Sequence, residues 1–238
     1  KNNFNQSITM AVNVSPRQFR QDNFVHFIQA ALQSHHLSGE DLELEITEGL
    51  FLGGEDYIQD TLSQLGELGI QLAMDDFGTG YSSLSYLRSF PFSVLKIDRC
   101  FISSLIENNA DQKLVNAAIS LAHSLKIKVV AEGVETCAQH DYLVSQDCDY
   151  VQGYFYGKPM SASDFEIFLK KNINFLNPNK PRCEYNCLIP GHSNHTVKTL
   201  LIKKTKVIAN IEKLNILINI GKLFFATIKQ RILFNKTN

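Results

Sequence analysis

The stretch Ile70–Gly80, IQLAMDDFGTG, sets an apolar run of strand length against two adjacent carboxylates and a glycine-rich turn. Consecutive side chains of a strand point to opposite faces. Asp75 and Asp76 can therefore serve one site only where the strand is ending, and Phe77-Gly78-Thr79-Gly80 supplies glycines for that turn. Ile70–Met74 reads as a strand with acid groups at its C-terminal end.

The same layout recurs along the chain. Ile8–Val14, Leu42–Ile46, Val94–Ile97, Lys128–Ala131 and Tyr150–Val151 are further apolar runs of strand length. Between them, Asn23–Ser34, Asp56–Leu68, Asp111–Ser124 and Ala138–Ser145 carry apolar residues at helical spacing. Ser15-Pro16-Arg17-Gln18 reads as a capped helix entry, and Ser163-x-x-Glu166 as the capping box of a last helix through Leu169. Strands alternating with helices predict parallel βαβ units. An open doubly wound sheet and a (β/α) barrel both fit. Asn13, Glu45, Asp75, Asp98 and Glu132 fall at or just past strand C-termini, which in a barrel converge on one mouth. No Gly-rich phosphate loop follows a strand, which favours the barrel. A full barrel has eight strands, and six are counted here.

Carboxylate and amide oxygens suit hard divalent cations such as Mg²⁺ and Mn²⁺, and two such ions can activate water at a phosphodiester. In the adjacent pair Asp75-Asp76, one carboxylate can bridge two ions while its neighbour holds the second. The competing reading is that strand-end acids merely cap helices and that Asp-Asp before Phe-Gly is an ordinary turn. Lys96, in VLKID, is either a lysine snorkelling from the wall or a cation holding water or a phosphate oxygen. Gln152, in VQGYFYGKP, is either a satisfied loop amide or a group that meets a guanine edge or a phosphate.

Residues 1–171 hold 12 Lys/Arg against 22 Asp/Glu, whereas 172–238 hold 11 against 2. The acidic first region argues against a DNA or RNA partner, which needs a basic footprint. The chain is 44% hydrophobic, enough for a packed core. Five cysteines without a secretory signal, and no apolar run of about 20 residues, predict a cytoplasmic location or the cytoplasmic side of a longer membrane-anchored protein.

VNVSPRQF, LELEITE, MDDFGTGYSSLSYL, LKID, VVAEGVET and VQGYFYGKPM resemble, in order, the motifs of the EAL-domain family, over about residues 8–169. The resemblance implies a TIM-like barrel with one strand reversed, and Mg²⁺- or Mn²⁺-dependent hydrolysis of cyclic di-GMP to the linear dinucleotide. It implies that Asn13, Glu45 and Asp75 hold one metal, and Asp75, Asp76 and Glu132 a second. Lys96 matches the lysine near the attacking water, and Glu132 is also a candidate general base. Glu48 matches the glutamate that steadies the DDFGTG loop, Gln152 a substrate-side glutamine, and Asp98 and Glu135 further acidic positions, of which Asp98 is placed on the substrate side. A homodimer through the DDFGTG-loop surface is implied as well. The Glu-Ala-Leu motif that names the family is absent ahead of Asn13. With it go two strands, a metal-binding glutamate and a substrate arginine, so the domain over 1–171 is expected to be partial, with weak activity. The alternative is a catalytically degenerate module that keeps ligand or partner contacts.

Residues 172–238 read as a basic tail: an amphipathic membrane or partner helix, a small folded appendage, or a segment without selected function. Within it Cys183, Cys187, His192 and His195 are zinc-type ligands at unsuitable spacing. Cys100, Cys137 and Cys148 are expected to be buried thiols.

Overall fold

Strand β1 (Met10–Val14) passes into helix α1 (Pro16–Phe19) through Ser15. The Ser15 hydroxyl accepts the Gln18 amide, the Gln18 side chain accepts the Ser15 N–H, and Pro16 opens the helix. This is the entry the sequence predicts. The structure, a computed structural model, describes residues 9–51, 55–79, 84–161, 163–165, 167 and 232–233.

The alternation continues through α2 (Phe24–Ser34), β2 (Leu42–Thr47), α3 (Glu55–Glu67), β3 (Gln71–Phe77) and α4 (Leu84–Ser89). It then runs through β4 (Val94–Ile97), α5 (Arg99–Ser103), α6 (Asn109–Ser124), β5 (Lys128–Glu132), α7 (Cys137–Ser145) and β6 (Tyr150–Gln152). The six strands are parallel and lie side by side in chain order. A doubly wound sheet reverses its order at a switch point. This sheet does not, and its strands form a curled, incomplete TIM-like barrel. A short β7 (Ile232–Leu233) pairs antiparallel with Tyr150 and Val151. The rest of the basic tail, including the Cys183/Cys187/His192/His195 set, lies outside the described residues.

Residues paired across a ladder share a face of the sheet. Asn13 stands opposite Glu45, Glu45 opposite Ala73, Ala73 opposite Val94, Lys96 opposite Val130, and Glu132 opposite Gln152. Along this face Ala73, Val94, Val130 and Tyr150 form a small apolar layer. Two residues further toward the strand ends stand Asp75, Lys96, Glu132 and Gln152. The opposite face carries Val12, Leu44, Ile46, Leu72, Leu95 and Val129, which join the larger core with Ile28, Leu62 and Ile119 of the helices. Burying each such side chain is worth about 1.5–3 kcal/mol. That burial sets the strand faces, so the polar strand-end residues must look into the barrel.

Three local expectations change. Strand β3 does not end at Met74 but runs to Phe77, with a register shift between Met74 and Phe77. Alternation is broken inside the strand instead: Asp76 adopts φ +57°. A bulge redirects side chains without ending the ladder. Second, Ser161 rather than Ser163 makes the helix-entry bonds, accepting the Asp164 amide at 3.2 Å and bonding its carboxylate at 2.6 Å; Glu166 lies outside the described residues. Third, Cys148 is buried, but Cys137 is only partly so and Cys100, in the first turn of α5, is exposed.

Candidate functional site

Four strands deliver charged groups to one point inside the barrel. The Lys96 ammonium lies 2.8 Å from Glu45 Oε1, 2.7 Å from Asp75 Oδ1 and 2.7 Å from Glu132 Oε1. The lysine side chain is fully buried, and the three carboxylates are 1%, 4% and 12% exposed. The contact to Asp75 is a hydrogen bond, and those to Glu45 and Glu132 are ion pairs. Lys96 does not snorkel outward: burial opposes its charge, but Glu45, Glu132 and Asp75 outweigh that, holding its pKa well above the ordinary lysine value.

Asn13 completes the cluster from β1. The terminal amide atom that faces the carboxylates is 3.2 Å from Glu45 Oε2 and 3.1 Å from Asp75 Oδ2. Turned as nitrogen, it donates to both. Turned as oxygen, it joins two carboxylate oxygens in a set of acceptors that only a cation holds together. Among the described residues, no three His, Cys, Asp or Glu side chains stand ready to hold a metal ion; the three acids that converge here each give one oxygen to Lys96. Three carboxylates around one ammonium leave two negative charges in a largely dry site. The donor set, oxygen only and net negative, fits a hard divalent cation.

The other predicted residues fall into place less uniformly. Gln152 ends β6 opposite Glu132, and its amide oxygen is buried without a hydrogen-bond partner among the described residues. Asp98 caps α5, accepting the Cys100 amide at 2.8 Å. Burial would raise its pKa, but the hydrogen bonds from Cys100 and Arg99 bring it below the ordinary value. Glu48 opens a 3₁₀ turn (Glu48–Phe51) that packs against β3, the strand bearing Asp75 and Asp76. Asp76 is half-buried at the bulge. Glu135 pairs with Arg99 at 3.4 Å on the exposed rim.

Sequence reading missed two features. Glu43, two residues before Glu45 on the same face of β2, is a buried carboxylate one layer deeper; strand parity alone could have found it. Gln139 forms the capping box of α7 with Thr136 and donates to the Ile102 carbonyl at 2.9 Å, tying α7 to α5. Thr136-x-x-Gln139 was legible as a cap.

A parallel α/β barrel whose inner strand ends gather carboxylates, an amide and a buried lysine defines the class. The chain belongs to the EAL-domain family, which it matches over residues 1–159. It is 43% identical over 153 residues to the bifunctional diguanylate cyclase/cyclic di-GMP phosphodiesterase MucR of Pseudomonas aeruginosa, covering 64% of this chain and 22% of MucR. The solved structure of the PaMucR phosphodiesterase in complex with c-di-GMP superimposes with a TM-score of 0.63 at 42% identity, covering 66% of this chain and 64% of that one. Klebsiella pneumoniae BlrP1, solved with manganese and cyclic di-GMP, gives 0.60 at 29% identity, covering 64% and 39%. The chain spans about a fifth of the length of the curated relatives it matches. Among the described residues, no helix is long and apolar enough to cross a membrane.

Proposed function

We propose that this domain binds cyclic di-GMP and hydrolyses one of its phosphodiester bonds, giving the linear dinucleotide, with Mg²⁺ or Mn²⁺ as cofactor. The observation that carries this reading is the convergence of Asn13, Glu45, Asp75 and Glu132 on one buried point. Asn13, Glu45 and Asp75 would hold one ion, and Asp75, Asp76 and Glu132 a second. Ions so held supply activation of water and neutralisation of phosphate charge. Lys96, whose ammonium is favoured by the three acids around it, would orient a water or phosphate oxygen. Glu132 is the candidate base, though a carboxylate engaged by a metal is a weak one. The Gln152 amide oxygen wants an N–H donor, and a guanine edge offers one. Asp98, after β4, is a second substrate-side residue, and Glu48 steadies the loop after β3.

The test is linear-dinucleotide formation from cyclic di-GMP with Mn²⁺, wild type against Asp75→Asn. Losing a group that touches the ion should cost more than the roughly 10–100-fold of an outer-shell loss. An Asp75→Asn variant as active as wild type defeats the reading. A second reading is a module that binds cyclic di-GMP without cleaving it. Binding by calorimetry with no linear product in either protein selects that one.

A further inference from the structure

The three acids that Lys96 grips are the acids a divalent ion would need. We propose that Lys96 is a resident counter-cation: its ammonium keeps Glu45, Asp75 and Glu132 converged before an ion arrives, and it competes with the ion for their oxygens. The inference rests on the metal-dependent reading above, and concerns the state of the site before loading.

The geometry divides the oxygens between the two cations. Glu45 Oε1, Asp75 Oδ1 and Glu132 Oε1 face the ammonium. Glu45 Oε2 and Asp75 Oδ2 face Asn13 instead. Three carboxylates brought together in a dry interior repel one another strongly, and without a cation they separate or take up protons. Lys96 is tethered by β4 between β3 and β5, so it acts at a concentration no free ion reaches. Its stem has no path to solvent, since the side chain is fully buried. The ammonium therefore stays near the site when an ion binds, and ion and ammonium repel each other. A lysine that only stabilises the fold would help ion binding or leave it alone. A competing lysine opposes it, and the sign separates the two.

The experiment compares wild type, Lys96→Met and, as a surface control, Lys113→Met. Each is stripped with chelator, melted without metal, then titrated with Mn²⁺ alone by calorimetry. Lys96→Met is expected to melt lower without metal, by on the order of 5–10 °C. It is also expected to bind Mn²⁺ tighter than wild type by about tenfold or more, since a like charge is gone. If Lys96→Met folds only with Mn²⁺ present, that supports the proposal; Lys96→Met combined with Glu132→Gln, one negative charge fewer, should then fold without metal. An unchanged metal-free melt, or Mn²⁺ binding as weak as or weaker than wild type, overturns it. Absence of Mn²⁺ binding by wild type overturns the metal-dependent reading itself, and this inference with it.

Discussion

Gly133 is held at φ +75°, and a Cβ built on it would lie 2.4 Å from Cγ of Arg99. The glycine of AEGVE thus does two jobs directly after Glu132: it turns the backbone, and it makes room for the Arg99 stem, whose head pairs with Glu135. Gly133→Ala pays for the left-handed backbone and crowds the near end of the Arg99 side chain, whose Cβ would lie 2.8 Å away. The expected loss is about 1–2 kcal/mol in denaturant unfolding. Adding Arg99→Ala, which removes Cγ and Cδ but keeps Cβ, should return part of the steric loss and leave the backbone part. Strict additivity of the two losses would show that the stem is not in the way. At this same scale Asp98 shows why a residue type does not settle a role: the carboxylate after β4 caps α5.

Cys148 follows α7 and precedes β6, its amide donating to Leu143 O at 3.0 Å and its thiol lying 3.2 Å from Tyr150 O. Burial pushes the thiol pKa from 9.0 up to about 12. In the unfolded chain it ionises near 9.0, so from there upward the unfolded state binds fewer protons and stability falls as pH rises. The contribution is fully present below pH 9.0, and its loss continues until about pH 12. Lys96, also raised, adds the same sign only above 10.5, beyond the first part of the cysteine's range. Exposed Cys100 shares the direction, so the comparison is made in a Cys100→Ser background. There Cys148→Ala should flatten the slope of stability between pH 9.0 and 10.5, by up to about 1.4 kcal/mol per pH unit. Equal slopes in the two proteins would mean the thiol is not shielded. In β3 the ladder with β4 is interrupted at the bulge and resumes at Phe77, so the strand continues while Asp76 alone leaves the alternation that keeps Asp75 on the inner face.

For the whole molecule, the unbroken strand order from β1 to β6 is what brings residues from far-apart segments to one mouth. Six strands curl without closing, and among the described residues β1 pairs on one side only, with β2. Open edges invite self-pairing, and closure removes them. A strand added to pair with the outer side of β1 should therefore suppress concentration-dependent association in light scattering. Association unchanged by it would show that this side of β1 is already covered.

The strands and the longer helices were legible because apolar periodicity answers to local geometry, and IQLAMDDFGTG, LELEITE and VVAEGVE each announce a strand ending in acid; α4 and α5, five or six residues each, are too short to show a period. The donor types of the site were legible for the same reason. What the residues alone left open was which oxygen meets which cation. That depends on ladder register, on the Asp76 backbone and on Lys96 being packed inward where its charge is compensated by three strands at once. Periodicity is a property of neighbours along the chain; compensation of a buried charge is a property of neighbours across space, and only the folded barrel supplies them.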